Sequence, residues 1–207
     1  MLSLVVLSAV LAQQPLPTLD ELAAEHDLVA ITQQIDINYD MVRDFPKEGH
    51  GLLRVLIAYK GTERGELIEV REKGLEPFRC YYPDFENEGN RYLVFLNKTD
   101  DEQYQGVKPT CQLPLLVTAD NAYALLYPVA GVAVDSSLAS RQTYADPAAY
   151  LMMDDLTHEW IDQQLEAGYI RVEDDHDYAL GPERVIYTQG IDVTSLRGLL
   201  FPDSSDQ

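Results

Sequence analysis

The string His158-Glu159-Trp160-Ile161-Asp162 is where this chain comes nearest to a catalytic motif. A zinc peptidase carries His-Glu-x-x-His on a helix, which sets two ligands one turn apart with the Glu as general base. Here the fifth position is Asp162, which is able to ligate zinc, but no glycine-plus-third-ligand pattern follows. Trp160 and Ile161 also fall on a stripe expected to face a core, so the string reads as the solvated side of a helix. Glu173-Asp174-Asp175-His176-Asp177 is dense in oxygen ligands. It lacks the alternating acids, turn glycine and closing Glu of a calcium loop, and reads as a solvated turn, as does Asp100-Asp101-Glu102. His26 and His50 have no nucleophile or acid at an informative spacing, and no Gly-x-Ser-x-Gly elbow or phosphate-cradling glycine loop occurs. The sequence therefore assigns no catalytic residue, no metal ligand and no cofactor.

Tyrosine is the other chemistry-bearing residue in abundance, with 13 copies. Tyr81, Tyr82, Tyr123 and Tyr127 lie around two cysteines and the late strands, and are the candidate binding residues. A tyrosine suits an interface because a large apolar ring ends in a polar tip, and suits ordinary barrel filling for the same reason.

The elements that must position these residues follow from hydrophobic pattern. Arg91-Tyr92-Leu93-Val94-Phe95-Leu96 is an unbroken apolar run between turn signals, which predicts a strand buried on both faces. Thr18 with Glu21 three residues on forms a capping box, so a short helix opens there, with Leu19, Leu22 and Ala23 on one face and its end near His26-Asp27. Strands are expected over 28–37, 51–59 and 66–72, with a polar hairpin loop over 40–49. Shorter ones are expected over 78–82, 113–117, 122–126 and 129–134. Many short strands at this spacing indicate a barrel or sandwich. From Asp146-Pro147 the period changes to that of a helix running to Gly168, with Met152, Leu156, Trp160, Ile161 and Leu165 as its apolar stripe. A strand over 169–172 pairs with 184–191, and 193–200 forms a last short helix.

Fifteen basic residues face 35 acidic ones, a net charge of -20. Such a surface is a poor partner for nucleic acid and for anionic membranes, both of which are bound through Lys and Arg. Residues 1–12 are apolar and end in small residues, too short for a membrane span, and read as a signal peptide, although no Lys or Arg precedes them. Val10 and Ala12 suit the cleavage site, and residues 13–19 form a leader. In a periplasmic or extracellular compartment Cys80 and Cys111 are most simply one disulfide, worth roughly 3–4 kcal/mol. A catalytic or metal-bound thiol is the rival reading, without CxxC spacing behind it.

The order Asp27-Leu28-Val29-Ala30, Arg54-Val55-Leu56-Ile57-Ala58-Tyr59-Lys60-Gly61, Ile68-Glu69-Val70, Cys80, Gly89, residues 91–96 and Tyr104 resembles the netrin-like fold, whose best-known members are the tissue inhibitors of metalloproteinases. The resemblance implies a mainly β, α+β architecture: an OB-like five-stranded Greek-key barrel over 20–139. A C-terminal extension over 140–207, a helix and a small strand pair, would pack on it. Those inhibitors bind the target's zinc through an N-terminal Cys. The mature start here would be Gln13-Gln14-Pro15, so that mechanism carries over to no residue. The expected function is an exported acidic domain, not an enzyme, that binds another exported protein and is not inserted in a membrane. A small-ligand or saccharide binder and a metal-dependent hydrolase are the alternatives.

Overall fold

The computed structural model describes residues 15–43, 45–73, 80, 89–101, 103–107, 109–152, 157–173 and 184–202. The expected signal peptide, the strand over 78–82 apart from Cys80, Leu156 and the acidic run from Asp174 lie outside them.

Helix α1 spans Leu19–Glu25 and starts as its sequence dictates. The Thr18 side chain accepts from the Glu21 N–H, and the Glu21 carboxylate accepts from the Thr18 N–H at 2.8 Å. It begins within the expected leader, because the cap is Thr18. Five strands then close a barrel: β1 (Leu28–Val42), β2 (Phe45–Lys60), β3 (Leu67–Lys73), β4 (Arg91–Lys98) and β5 (Tyr104–Gln105). The order around it is β1-β2-β3-β5-β4 and back to β1, all antiparallel except β3 with β5. This is the OB-like Greek-key barrel expected from the sequence.

Strand β4 explains the unbroken apolar run. Successive strand residues point to opposite faces. Tyr92, Val94 and Leu96 line the barrel interior with Leu28, Ala30, Leu53, Val55, Ile68 and Val70. Leu93 and Phe95 point outward into a second core with Leu19, Leu22, Leu196 and Leu200. That second core fills the space between the barrel wall and two helices, α1 and the C-terminal α3 (Val193–Leu200). The free edge of β4 is shared: β5 pairs with its end, and β6 (Gln112–Val117) pairs with Arg91–Val94. From there the sheet leaves the barrel through β7 (Tyr123–Leu126), β12 (Gln189–Asp192) and β8 (Ser140–Arg141), nine strands in all. A smaller sheet of β10 (Ile170–Val172), β11 (Arg184–Tyr187) and β9 (Tyr150–Met152) packs on the far side of β6 and β7 and carries helix α2 (His158–Ala167).

Several expectations are corrected. The 40–49 segment is not a loop: β1 and β2 pair out to Val42 with Phe45, so the two strands form a long ribbon. Residues 129–134 form no strand. The helix expected from Asp146 is broken in two. Asp146 caps a 3-10 turn over Pro147–Ala149, Tyr150–Met152 pairs with β11, and α2 starts only at a second cap, Thr157. Leu165 is exposed and Ile161 is the buried residue of α2, while Gly168 ends it in the left-handed conformation as expected. The strand pair of the extension is a three-stranded sheet, and residues 184–191 split between both sheets. Among the described residues, no helix is long and apolar enough to cross a membrane.

Candidate functional site

Cys80 and Cys111 are bonded, with Cα atoms 6.3 Å apart and both residues wholly buried in the barrel core. The bridge ties the segment after β3 to the turn between β5 and β6, so its loop encloses β4. A disulfide of this kind belongs to an oxidising, non-cytoplasmic compartment.

The four candidate tyrosines do not gather into one surface. Tyr81 and Tyr82 lie outside the described residues. Tyr123 opens β7, half-buried, with the Arg91 guanidinium 5.0 Å above its ring. Tyr127 is a core residue, packed edge-to-face on Tyr169 at 5.1 Å. Burial, then its bond to Tyr169, raises the Tyr127 hydroxyl's pKa.

The polar motifs separate in the same way. His158 and Asp162 stand one turn apart on the exposed side of α2, while Ile161 faces the core. Glu173 is the described member of the acidic run. Among the described residues, no three His, Cys, Asp or Glu side chains come together as a metal site would need. His26 serves packing: its Nδ1 meets the Leu22 carbonyl at 2.8 Å and its ring lies edge-on to Phe95. Asp100 and Asp101 are exposed in the turn between β4 and β5.

A further candidate surface, one the sequence concealed, is the β1–β2 ribbon. Among the described residues, β3 pairs with β2 as far as Lys73 opposite Glu48, and only β2 pairs with residues 36–42 of β1. At the ribbon's tip Met41 and Val42 are 51% and 52% exposed. Neighbouring strand residues face opposite ways, so among the described residues each face of the tip carries one exposed apolar side chain. Arg43 turns the chain there with a φ of 52°. Below the tip, Asn38, Asp40, Gly49, His50 and Arg71 line a polar pocket of about 90 Å³. His50 Nδ1 lies 3.9 Å from a Glu69 carboxylate oxygen, and Arg71 reaches Gln103 at 3.3 Å. The pattern suits gripping a partner: two apolar anchors at the end and hydrogen-bonding groups behind them. The signal in the sequence was Met41-Val42 inside a stretch otherwise rich in acids and turn formers.

No family model, no curated protein and no solved structure matches this chain.

Proposed function

We propose that this chain is an exported binding domain, not an enzyme, and that it grips another exported protein with the tip of the β1–β2 ribbon. The observation that carries this reading is the half-exposed pair Met41 and Val42 at the turn that joins β1 to β2. A few side chains desolvated in a partner's pocket contribute most of an interface's binding energy, and Met41 and Val42 are placed to be those side chains. The net charge of -20 supports a partner whose apolar pocket has a basic rim, because long-range attraction speeds encounter. The buried disulfide and the apolar run at residues 1–12 support export. The resemblance to netrin-like domains, which include protein inhibitors, supports the same class of role.

The test is comparative capture. Residues 13–207, with the disulfide intact, are immobilised beside a Met41→Asp/Val42→Asp variant of unchanged circular dichroism and Tm. Both are exposed to the source organism's exported fraction. A partner retained saturably by the native chain and at least tenfold less by the variant is the expected result. Equal retention on both surfaces, or none on either, would sink the reading.

A further inference from the structure

The seam between the two sheets holds a second concave site, remote in sequence from the ribbon. It is a crevice of about 210 Å³ with an arginine on each wall: Arg141 from β8 on one side and Arg171 from β10 on the other. Tyr144, Ile186 and Tyr187 form much of its lining. Pairing register fixes how Arg171 is aimed. It stands directly opposite Ile186, and directly opposed residues share a face. Ile186 packs with Tyr144 and with Ala124 of β7 in the large sheet, so Arg171 is turned toward that sheet too. Arg184, two residues from Ile186 on β11, lies on the same face, and its Nε is buried without a hydrogen-bond partner.

The basic residues beyond Lys108 are Arg141, Arg171, Arg184 and Arg197; Arg141 and Arg171 line this crevice, and Arg184 shares the Ile186 face of β11. Among the described residues, none of the three has an ion pair. Several other polar groups of the seam are already engaged. The Tyr144 hydroxyl donates to the Gln189 carbonyl, the Thr188 hydroxyl to the Gly168 carbonyl, and the Asp192 carboxylate accepts from Gln142. The guanidiniums of Arg141 and Arg171 are like-charged donors around one concavity, an arrangement that an anion between them relieves.

We propose that this crevice binds a phosphate or sulfate group. One guanidinium saturates a planar carboxylate in a two-pronged pair. Two guanidiniums approaching from opposite walls suit a tetrahedral oxyanion, which offers oxygens in several directions. The volume is below the roughly 300–1,000 Å³ of sites that enclose whole ligands, so the crevice takes the anionic group and leaves the rest of a larger molecule outside. The overall negative charge does not prevent this. At physiological salt, distant exposed charges are screened beyond about 8 Å, and local hydrogen bonds decide.

The experiment is calorimetric titration of the full, disulfide-bonded chain with sodium phosphate, sulfate and acetate at matched ionic strength, beside Tm measured in each salt. Phosphate or sulfate is expected to bind saturably, at least tenfold tighter than acetate, and to raise Tm relative to chloride. Arg141→Gln/Arg171→Gln is expected to lower that affinity at least tenfold with Tm in chloride unchanged. Arg171→Lys, which keeps the charge and loses the fork, should weaken binding by less. Arg64→Gln, on the exposed turn before β3, should leave it intact. Acetate binding as tightly as phosphate, no saturable binding at all, or an equal response from the double variant would each overturn the assignment.

Discussion

Gly106 has no room for a side chain beside Cys111. A Cβ there would stand 2.5 Å from Cys111 Cβ, 3.0 Å from Leu96 Cδ2 and 3.1 Å from Cys80 Sγ. Gly106 sits where the edge of β4 passes from β5 to β6, and its carbonyl accepts from the Cys80 N–H at 3.3 Å. A methyl group would push the bridge away from β4 or the turn away from the barrel. Overpacking of this kind costs about 1–3 kcal/mol. Gly106→Ala should lose stability in that range by urea denaturation; an unchanged midpoint would mean that the turn yields freely.

The bridge itself spans a sequence separation of 31 residues. Closing a loop of that length stabilises by about 3–4 kcal/mol in the chain-entropy picture. Cys80→Ala/Cys111→Ala should therefore lower the unfolding free energy by about that amount without changing the strand content. Both cysteines are wholly buried, so dithiothreitol should reduce the native protein slowly and the urea-unfolded protein fast. Rapid reduction in native buffer would contradict the buried position.

Glu66 closes the turn between β2 and β3. The Thr62 hydroxyl donates to its carboxylate at 2.6 Å, and the Glu63 N–H donates to the same oxygen at 3.0 Å. These two bonds, the hydroxyl's first, hold the carboxyl below its ordinary pKa. A folded-state pKa that is depressed contributes stability above the unfolded-state value, and that stability is lost as pH falls through the folded-state pKa. The group is almost fully solvated, so the effect is small and salt-screened. Glu66→Gln should lower Tm at pH 7, and the gap to the native chain should close as pH drops below roughly 4. A gap that stays constant down to pH 3 would remove the carboxylate from the account.

Local signals made part of this architecture legible. The Thr18–Glu21 capping box is a pattern of four residues, and the apolar run of β4 announces burial on both faces wherever it ends up. Tyr150–Met152 could not be read this way. Its residues pair with β11, far along the chain, and the cap at Asp146 resembles a helix start until Thr157 supplies the real one. The ribbon was hidden because its acids and Pro46 look like a loop, while pairing with the opposite strand holds them extended. Arg141 and Arg171 carry no mutual spacing at all. They line one crevice from two different sheets, so only the assembled seam shows them together.

That seam depends on Tyr144 lying over Gly190. The Tyr144 ring is buried, and burial pushes its hydroxyl pKa up, which keeps it a donor to the Gln189 carbonyl at 2.8 Å. Gly190 pairs with Leu126 on one side and Ser140 on the other. A Cβ there would collide with the Tyr144 hydroxyl and press on Ala124 Cβ at 3.0 Å and Gln142 Cγ at 3.1 Å. Tyr144→Phe should cost about 1 kcal/mol for the lost hydrogen bond. Gly190→Ala should cost about 1–3 kcal/mol as an overpacked site. The two residues touch, so the costs should not add: removing the hydroxyl vacates the space that the new methyl needs. The double variant should fall short of the sum by about 1 kcal/mol in a denaturation cycle, within the usual range for contacting pairs. Strict additivity would place the obstruction at Ala124 and Gln142 instead, leaving the tyrosine hydroxyl as a hydrogen-bond donor and nothing more.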